Sequence, residues 1–381
     1  MGASPELAVT AVQHQSNDAL QAAAEAGLRY VSDVEPGIRR VGSAADFEYR
    51  DPDGTPVTDL PTLERIRSLA IPPAYHDVWI CLRRNGHLQA TGRDARGRKQ
   101  YRYHPRWQEV RGVGKFDRVI AFGEALPRLR RRLTRDLKLP GFPQGKVQAI
   151  VVALLAATLV RIGNDEYARS NKSFGLTTLR NRHVAFVRGG RVRLRFRGKG
   201  GLDHDIALDD ARLARLIRCC QQLPGQALFQ YRDDEGNVQP VDSGHINEYL
   251  REAMGEGFTA KDFRTWGGTL AAFHLLSTTP VPGVGDGAHA DTPPSERALA
   301  AAEKAVLVQV GRILGNTPAV CRKAYVDPMV FARWRDGSLQ RAADGARGAR
   351  QWERAALKFL KQARRSQQRV ARKSPRSRPG P

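Results

Sequence analysis

From Leu28 to about Trp107 the chain runs in short stretches that alternate between apolar and polar residues. They are RYVSD, FEYRD, VWICLRR, HLQATGRD and KQYRYH, set apart by turn residues such as PDG at 52–54 and NG at 85–86. A period of two sends successive side chains to opposite faces of a strand, so this region predicts a small sheet built from hairpins. One helix interrupts it within TDLPTLERIRSLAIP, where Thr58 or Asp59 is placed to cap its start. The glycines of RGVGKFD, 111–117, suggest a hinge. Beyond it the apolar spacing lengthens to the helical period. ALPRLRRRLTRDL and GKVQAIVVALLAATLVRIG open a helical region that continues through DARLARLIRCCQQL, HINEYLREAMG, KDFRTWGGTLAAFHLL, SERALAAAEKAVLVQVGRIL and PAVCRKAYVDPMVFARW. Only HVAFVRGGRVRLRFRGKGGLDHDIAL breaks that period, alternating in three pieces around RGG and GKGG as a small antiparallel sheet would.

The expected fold is therefore α+β. A small N-terminal antiparallel-sheet domain, 28–112, precedes a larger, mainly α-helical catalytic domain, 113–345, that carries a small three-stranded antiparallel sheet. A lead-in, 1–27, and a basic C-terminal helix and disordered tail, 346–381, flank them. The Gly/Pro-rich stretch 278–294 reads as a loop or insert.

Composition narrows the partners. Lys and Arg number 62 against 39 Asp and Glu, a net charge of +23. Such an excess is most often a match for a polyanion, nucleic acid first and an anionic membrane surface second. The last eighteen residues carry seven Lys or Arg and no acid. The longest apolar run, VQAIVVALLAATLV at 147–160, is short for a membrane span and meets Arg161 at once, so a buried helix is expected. The N-terminus has no basic-then-apolar leader pattern, and a cytoplasmic location is expected. Four cysteines without a CxxC pair read as free thiols. No His/Cys spacing suggests a metal, and GFPQGKV has the wrong spacing for a phosphate-binding loop, so neither metal nor ATP is expected.

A phosphodiester can be broken and rejoined without either. A nucleophile attacks phosphorus, fixed cations neutralise the nonbridging oxygens, and an acid protonates the departing alkoxide. Tyrosine, arginine and lysine suit these tasks in turn. Arg161 ends the apolar helix, though a helix-end arginine also simply meets the dipole. Lys199 sits between glycines at a hairpin tip, where a solvated turn lysine is equally at home. Arg264 lies in KDFRTWGGT, whose glycines and Trp imply tight packing. Tyr325, in LGNTPAVCRKAYVDP, is by itself an ordinary core tyrosine.

Together these motifs change the reading. VRIGNDEYARSNKSFGLTTLRNRHV, FRGKGG, KDFRTWGGT and LGNTPAVCRKAYVDP, in this order, resemble the type IB DNA topoisomerases of bacterial and poxvirus type, which share the catalytic fold of the tyrosine recombinases. GRDARGRKQYRYHPRW, 92–107, resembles that family's N-terminal DNA-clamping domain. The resemblance covers roughly 28–335. It implies relaxation of supercoiled duplex DNA by transient cleavage of one strand through a 3′-phosphotyrosyl intermediate and religation, with no cofactor. It implies Tyr325 as nucleophile, Arg161 and Arg264 as transition-state arginines, and Lys199 as the lysine that helps expel the 5′-oxygen. Asn316 falls where many relatives carry a histidine, and can only hydrogen-bond there. For DNA contact the resemblance and the strand period point to Lys99, Gln100, Tyr101 and Tyr103, the two tyrosines sharing one face. Tyr167, Lys172 and Lys261 match basic or phosphate-contacting positions. The implied partner is double-stranded DNA, gripped by a monomer acting as a C-shaped clamp at the nucleoid. A tyrosine site-specific recombinase and a non-catalytic architectural DNA-binding protein are the other readings.

Overall fold

The computed structural model describes residues 20–373 apart from 22, 44–45, 96, 98, 189–190, 256 and 284–294. The chain divides into two compact units, Met1–Asp117 and Arg118–Pro381. The fold is α+β.

The first unit contains a five-stranded antiparallel sheet of β1 (Ile38–Ser43), β2 (Asp46–Arg50), β3 (His76–Ile80), β4 (Leu88–Arg93) and β5 (Lys99–Tyr103), in the order β2-β1-β3-β4-β5. Helix α1 (Leu60–Ser68) sets Ile66 against Ile38, Val78, Ile80 and Ala90 to close one core. Its cap is Asp59, whose Oδ2 accepts from the Thr62 amide at 2.9 Å. Two of the sequence expectations for this unit need correction. RYVSD forms no strand: beyond a single bridge from Arg29 to Gly86, its Val31 amide donates to His87 Nδ1 at 3.1 Å, so a side chain satisfies what a ladder would have satisfied. Strand β1 was not foreseen, because Arg39 and Arg40 hide its alternation. Arg40 spends its charge on the Pro72 and Tyr75 carbonyls and on the Phe47 ring.

Helix α2 (Pro105–Asp136) includes the stretch 111–117 that reads as a hinge in sequence. Those residues are helical, the two glycines being tolerated there at roughly 1 kcal/mol each.

In the second unit, α3 (Gln144–Thr158) is the central helix. Val147, Ala149, Ile150, Val151, Val152, Leu154 and Leu155 are all fully buried, as an all-round apolar helix must be. After the short α4 (Asp165–Asn171), strands β6 (Val184–Val187), β7 (Arg191–Arg197) and β8 (Asp203–Leu208) form the expected three-stranded sheet, order β6-β7-β8. Along β7, Val192, Leu194 and Phe196 face inward while the arginines face out, and Arg193 pairs with Asp205. A second, two-stranded sheet, β9 (Gln230–Arg232) with β10 (Val238–Pro240), is too short to leave a period in the sequence. The remaining helices are α5 (Ala211–Gln221), α6 (Ser243–Met254), α7 (Ala260–Ser277), α8 (Glu296–Leu314), α9 (Pro318–Ala324), α10 (Pro328–Arg335), α11 (Ser338–Ala343) and α12 (Ala349–Lys373). Helix α12 buries Ala356, Phe359, Leu360 and Ala363, an i, i+3, i+4, i+7 stripe. All four cysteines are free. Among the described residues no helix is long and apolar enough to cross a membrane. Most of the lead-in, residues 284–294 of the Gly/Pro-rich stretch and the tail 374–381 lie outside the described residues.

Candidate active site

Helix α3 stops because Leu159 takes the left-handed conformation, φ 54°. Val160 is buried, and Arg161 begins a loop laced to a neighbouring turn: Leu176 N donates to Arg161 O at 2.9 Å, and Thr177 N to Ile162 O at 2.7 Å. The two backbones touch at glycines. A Cβ on Gly175 would lie 2.5 Å from Gly163 Cα, and Gly163 itself has φ +111°. The glycines of IGNDEY and FGLTTL thus let two segments cross, and the crossing fixes the backbone that carries Arg161.

Arg264 lies in the second turn of α7, 3 % exposed. Its Nη1 donates to the Leu159 carbonyl and its Nη2 to the Leu314 carbonyl, the latter at 2.6 Å. These are carbonyls at the C-terminal ends of α3 and α8, which lack partners within their own helices and carry the negative end of the dipole. One guanidinium therefore ties two helix ends together and is itself held rigid. The glycines after it make room: a Cβ on Gly267 would meet the Leu159 side chain at 2.4 Å, and one on Gly268 would lie 3.0 Å from Tyr325 O.

Tyr325 follows α9, its amide bonded to Cys321 O at 2.9 Å. Its carbonyl accepts from Thr269 Oγ1 at 3.1 Å, and the same Oγ1 accepts from the Asp327 amide at 3.1 Å. Arg264 Cζ stands 5.0 Å from the centre of the tyrosine ring. Burial alone raises the Tyr325 phenol, but the positive charges of Arg264, Arg161 and Lys261 outweigh it and hold the pKa below the ordinary tyrosine value. Arg161 is pulled down first by burial and then by the charge of Arg264. Asn316 follows Gly315, whose φ of +58° ends α8. Its Oδ1 accepts from Arg161 Nη2 at 2.6 Å, while its Nδ2 is buried with no partner among the described residues.

Lys199 is at the tip between β7 and β8, where Gly200 and Gly201 both have positive φ. Arg161, Lys199, Lys261, Arg264 and Tyr325 line one cleft of about 360 Å³. No carboxylate lines it among the described residues, so its charge suits an anion, with a phenol in its wall.

The other expected contact residues are not among those described as lining this cleft. Lys172, with φ 48°, is exposed beyond α4, and the Tyr167 side chain lies outside the described residues. Lys99, Gln100, Tyr101 and Tyr103 lie in β5 of the first unit. Tyr101 and Tyr103 do share a face, their rings stacked 6.0 Å apart, with Tyr101 47 % exposed. Tyr103 also packs on Trp107 and Leu88, so it serves the core as well. Lys99 is paired with Asp33 at 2.5 Å, and Gln100 with Asp94 at 3.0 Å. Sequence reasoning missed three supports of the site. Thr269 was visible only as the residue closing WGGT, His204 as one polar position in an alternating strand, and Glu303, 2 % exposed in α8, gave no signal.

Residues 104–338 match the family described as eukaryotic DNA topoisomerase I, catalytic core, and residues 46–94 match bacterial DNA topoisomerase IB, N-terminal domain. The DNA topoisomerase 1B of Acanthamoeba polyphaga mimivirus is 33 % identical over 295 residues, covering 76 % of this chain and 85 % of that protein. The chain belongs to the type IB DNA topoisomerases. The vaccinia virus (strain Copenhagen) DNA topoisomerase 1B is more distant, 22 % identical over 292 residues, 73 % of this chain and 83 % of that protein. As a type IB topoisomerase the chain is an enzyme that relaxes DNA, and its N-terminal unit is of the bacterial type.

Proposed function

We infer that relaxation proceeds through a covalent bond between Tyr325 and the 3′ end of one strand. The phenol oxygen of Tyr325 attacks phosphorus, an O–P bond forms, and the P–O5′ bond breaks to leave a 5′-hydroxyl. The phenolic proton passes to solvent. Arg161 and Arg264 hold the nonbridging oxygens, and the buried Asn316 Nδ2 supplies one further donor. Lys199 gives a proton to the departing O5′ and takes it back when that hydroxyl attacks the phosphotyrosine. The DNA beyond the nick turns between the two steps. Each task has a side chain of this chain to perform it, so the reading requires neither ATP nor a metal ion.

The observation that carries this reading is the lowered Tyr325 phenol in a cleft walled by Arg161, Lys199, Lys261 and Arg264 without a carboxylate. In the same reading β5, with Lys99, Gln100, Tyr101 and Tyr103, contacts duplex DNA, as do Tyr167 and Lys172, and the enzyme works as a monomeric clamp at the nucleoid. Plasmid relaxation in EDTA without ATP tests it. Wild type relaxes the plasmid and Tyr325→Phe does not. A wild type that binds and compacts the plasmid without relaxing it would restore the architectural reading, and a requirement for paired specific sites would restore the recombinase one.

A further inference from the structure

The ring of His204, at the start of β8, fills the space between two functional turns. Gly198 directly precedes Lys199, and a Cβ on it would lie 2.5 Å from His204 Cδ2 and Nε2. Gly315 directly precedes Asn316, and a Cβ on it would lie 2.8 Å from His204 Cε1. A third side of the imidazole is stacked on Phe196, 4.8 Å between centres and 14° between planes. Gly315 has a second reason to be glycine, its positive φ. Gly198 has none: its φ of −96° is open to any residue, so only the histidine ring excludes a side chain there. The hairpin tip that carries Lys199 and the turn that carries Asn316 thus meet across one imidazole. The tip has little else to hold it. Lys199 and Gly200 are exposed, and two backbone hydrogen bonds, Gly198 N to Leu202 O at 2.7 Å and Gly201 N to Gly198 O at 3.1 Å, close the turn.

We propose that His204 is a positioning residue for the leaving-group step: its ring is the spacer that sets the Lys199 tip against the Asn316 turn. This rests on the reading of Lys199 as the group that protonates O5′. Burial, followed by the charges of Arg161 and Arg264, keeps the His204 pKa below the ordinary histidine value, so near neutral pH the spacer is uncharged and adds no third cation beside the arginines. The imidazole acts by its shape and stacking and transfers no proton itself.

A thiolate leaves without being protonated. A DNA duplex with sulfur in place of the scissile 5′-oxygen therefore bypasses the lysine, while every other contact is kept. Single-turnover cleavage at a site the enzyme is found to cut is measured for both leaving groups with wild type, Lys199→Ala, His204→Ala and Gly198→Ala. Lys199→Ala is expected to lose about a hundredfold or more on oxygen and to regain most of it on sulfur. His204→Ala is expected to lose about tenfold or more on oxygen, as a misplaced acid does, and to be restored likewise on sulfur. Gly198→Ala, which displaces the ring by a different route, behaves the same way, and the double variant is no worse than either single one. His204→Ala losing equally on both leaving groups, or losing nothing, overturns the proposal, and so does a normal Gly198→Ala. Lys199→Ala slow on both leaving groups overturns the underlying reading and this proposal with it, whereas Lys199→Ala rescued beside an unrescued His204→Ala overturns this proposal alone.

Discussion

Arg161 donates from Nη2 to the Oδ1 of Asn316 at 2.6 Å, and this bond fixes which way the amide faces. With Oδ1 committed, Nδ2 is left buried and without a partner among the described residues. An orphaned buried donor costs stability unless something binds it, so it reads as a site kept for an oxygen that arrives with the substrate. In the proposed mechanism the asparagine supplies that oxygen with a neutral donor. Asn316→Asp keeps the acceptor for Arg161 and removes the donor. Its single-turnover cleavage should fall by about a hundredfold, the usual cost of losing one such donor, whereas Asn316→His, which retains an N–H, should fall much less.

Gly268 sets the distance between α7 and Tyr325. A Cβ there would meet Tyr325 O at 3.0 Å and Tyr325 Cβ at 3.1 Å, both tighter than ordinary contact and both on the segment that Thr269 pins. Gly268→Ala is expected to cut cleavage by about tenfold or more through displacement of the tyrosine, with binding of an uncut duplex little changed. Equal losses in both measurements would contradict this.

The Tyr325 phenol gives a pH prediction with a definite sign. Burial raises its pKa, and Arg264, Arg161 and Lys261 together bring it below the ordinary tyrosine value. In the proposed mechanism the phenolate attacks, so the cleavage rate is expected to rise with pH and to level off below the pH at which a free tyrosine would. Lys261→Gln removes one of the three charges, moves the phenol pKa up, and should shift the whole rate profile to higher pH at saturating enzyme. A profile that loses height without moving along the pH axis would deny Lys261 this role.

Glu303 ties down both flanks of Tyr325. Its carboxylate, 2 % exposed, accepts from Arg322 of α9 and, at 2.6 Å, from Arg335 of α10. Burial works to raise its pKa, and the hydrogen bonds from Arg335 and Arg322 outweigh it, so the carboxyl titrates below its usual range. Such a group stabilises the fold fully above its unfolded pKa and loses that contribution as the pH falls through the folded value. Glu303→Gln should cost about 1 to 2 kcal/mol near neutral pH, since the two arginines it leaves are partly exposed, and lower the melting temperature. The gap to wild type should close as the pH drops below the carboxylate range.

Much of this site could be read from the sequence because its glycines and cations lie in contiguous motifs. Gly163, Gly175, Gly267 and Gly268 each mark a place where backbone meets backbone or side chain, and such places leave a local signature. The apolar run ending at Arg161 and the alternation around GKGG predicted both elements correctly. What escaped was non-local or disguised. Thr269, His204 and Glu303 act through partners up to 111 residues away, and nothing in a single stretch shows the pairing. Strand β1 was masked by Arg39 and Arg40, the latter held by carbonyls and an aromatic ring elsewhere in its unit, and 111–117 stayed helical despite its glycines because tertiary context outweighs a propensity cost of about 1 kcal/mol each.

The most direct test of the account is the identity of the covalent link. Reactions on duplex DNA are stopped with denaturant, the protein-bound DNA is isolated and digested, and the cross-linked peptide is sequenced by mass spectrometry. The account predicts DNA joined through its 3′-phosphate to Tyr325, with a free 5′-hydroxyl on the other fragment and no adduct from Tyr325→Phe. DNA joined to another residue, attachment through the 5′ end, or an adduct that survives Tyr325→Phe would contradict it.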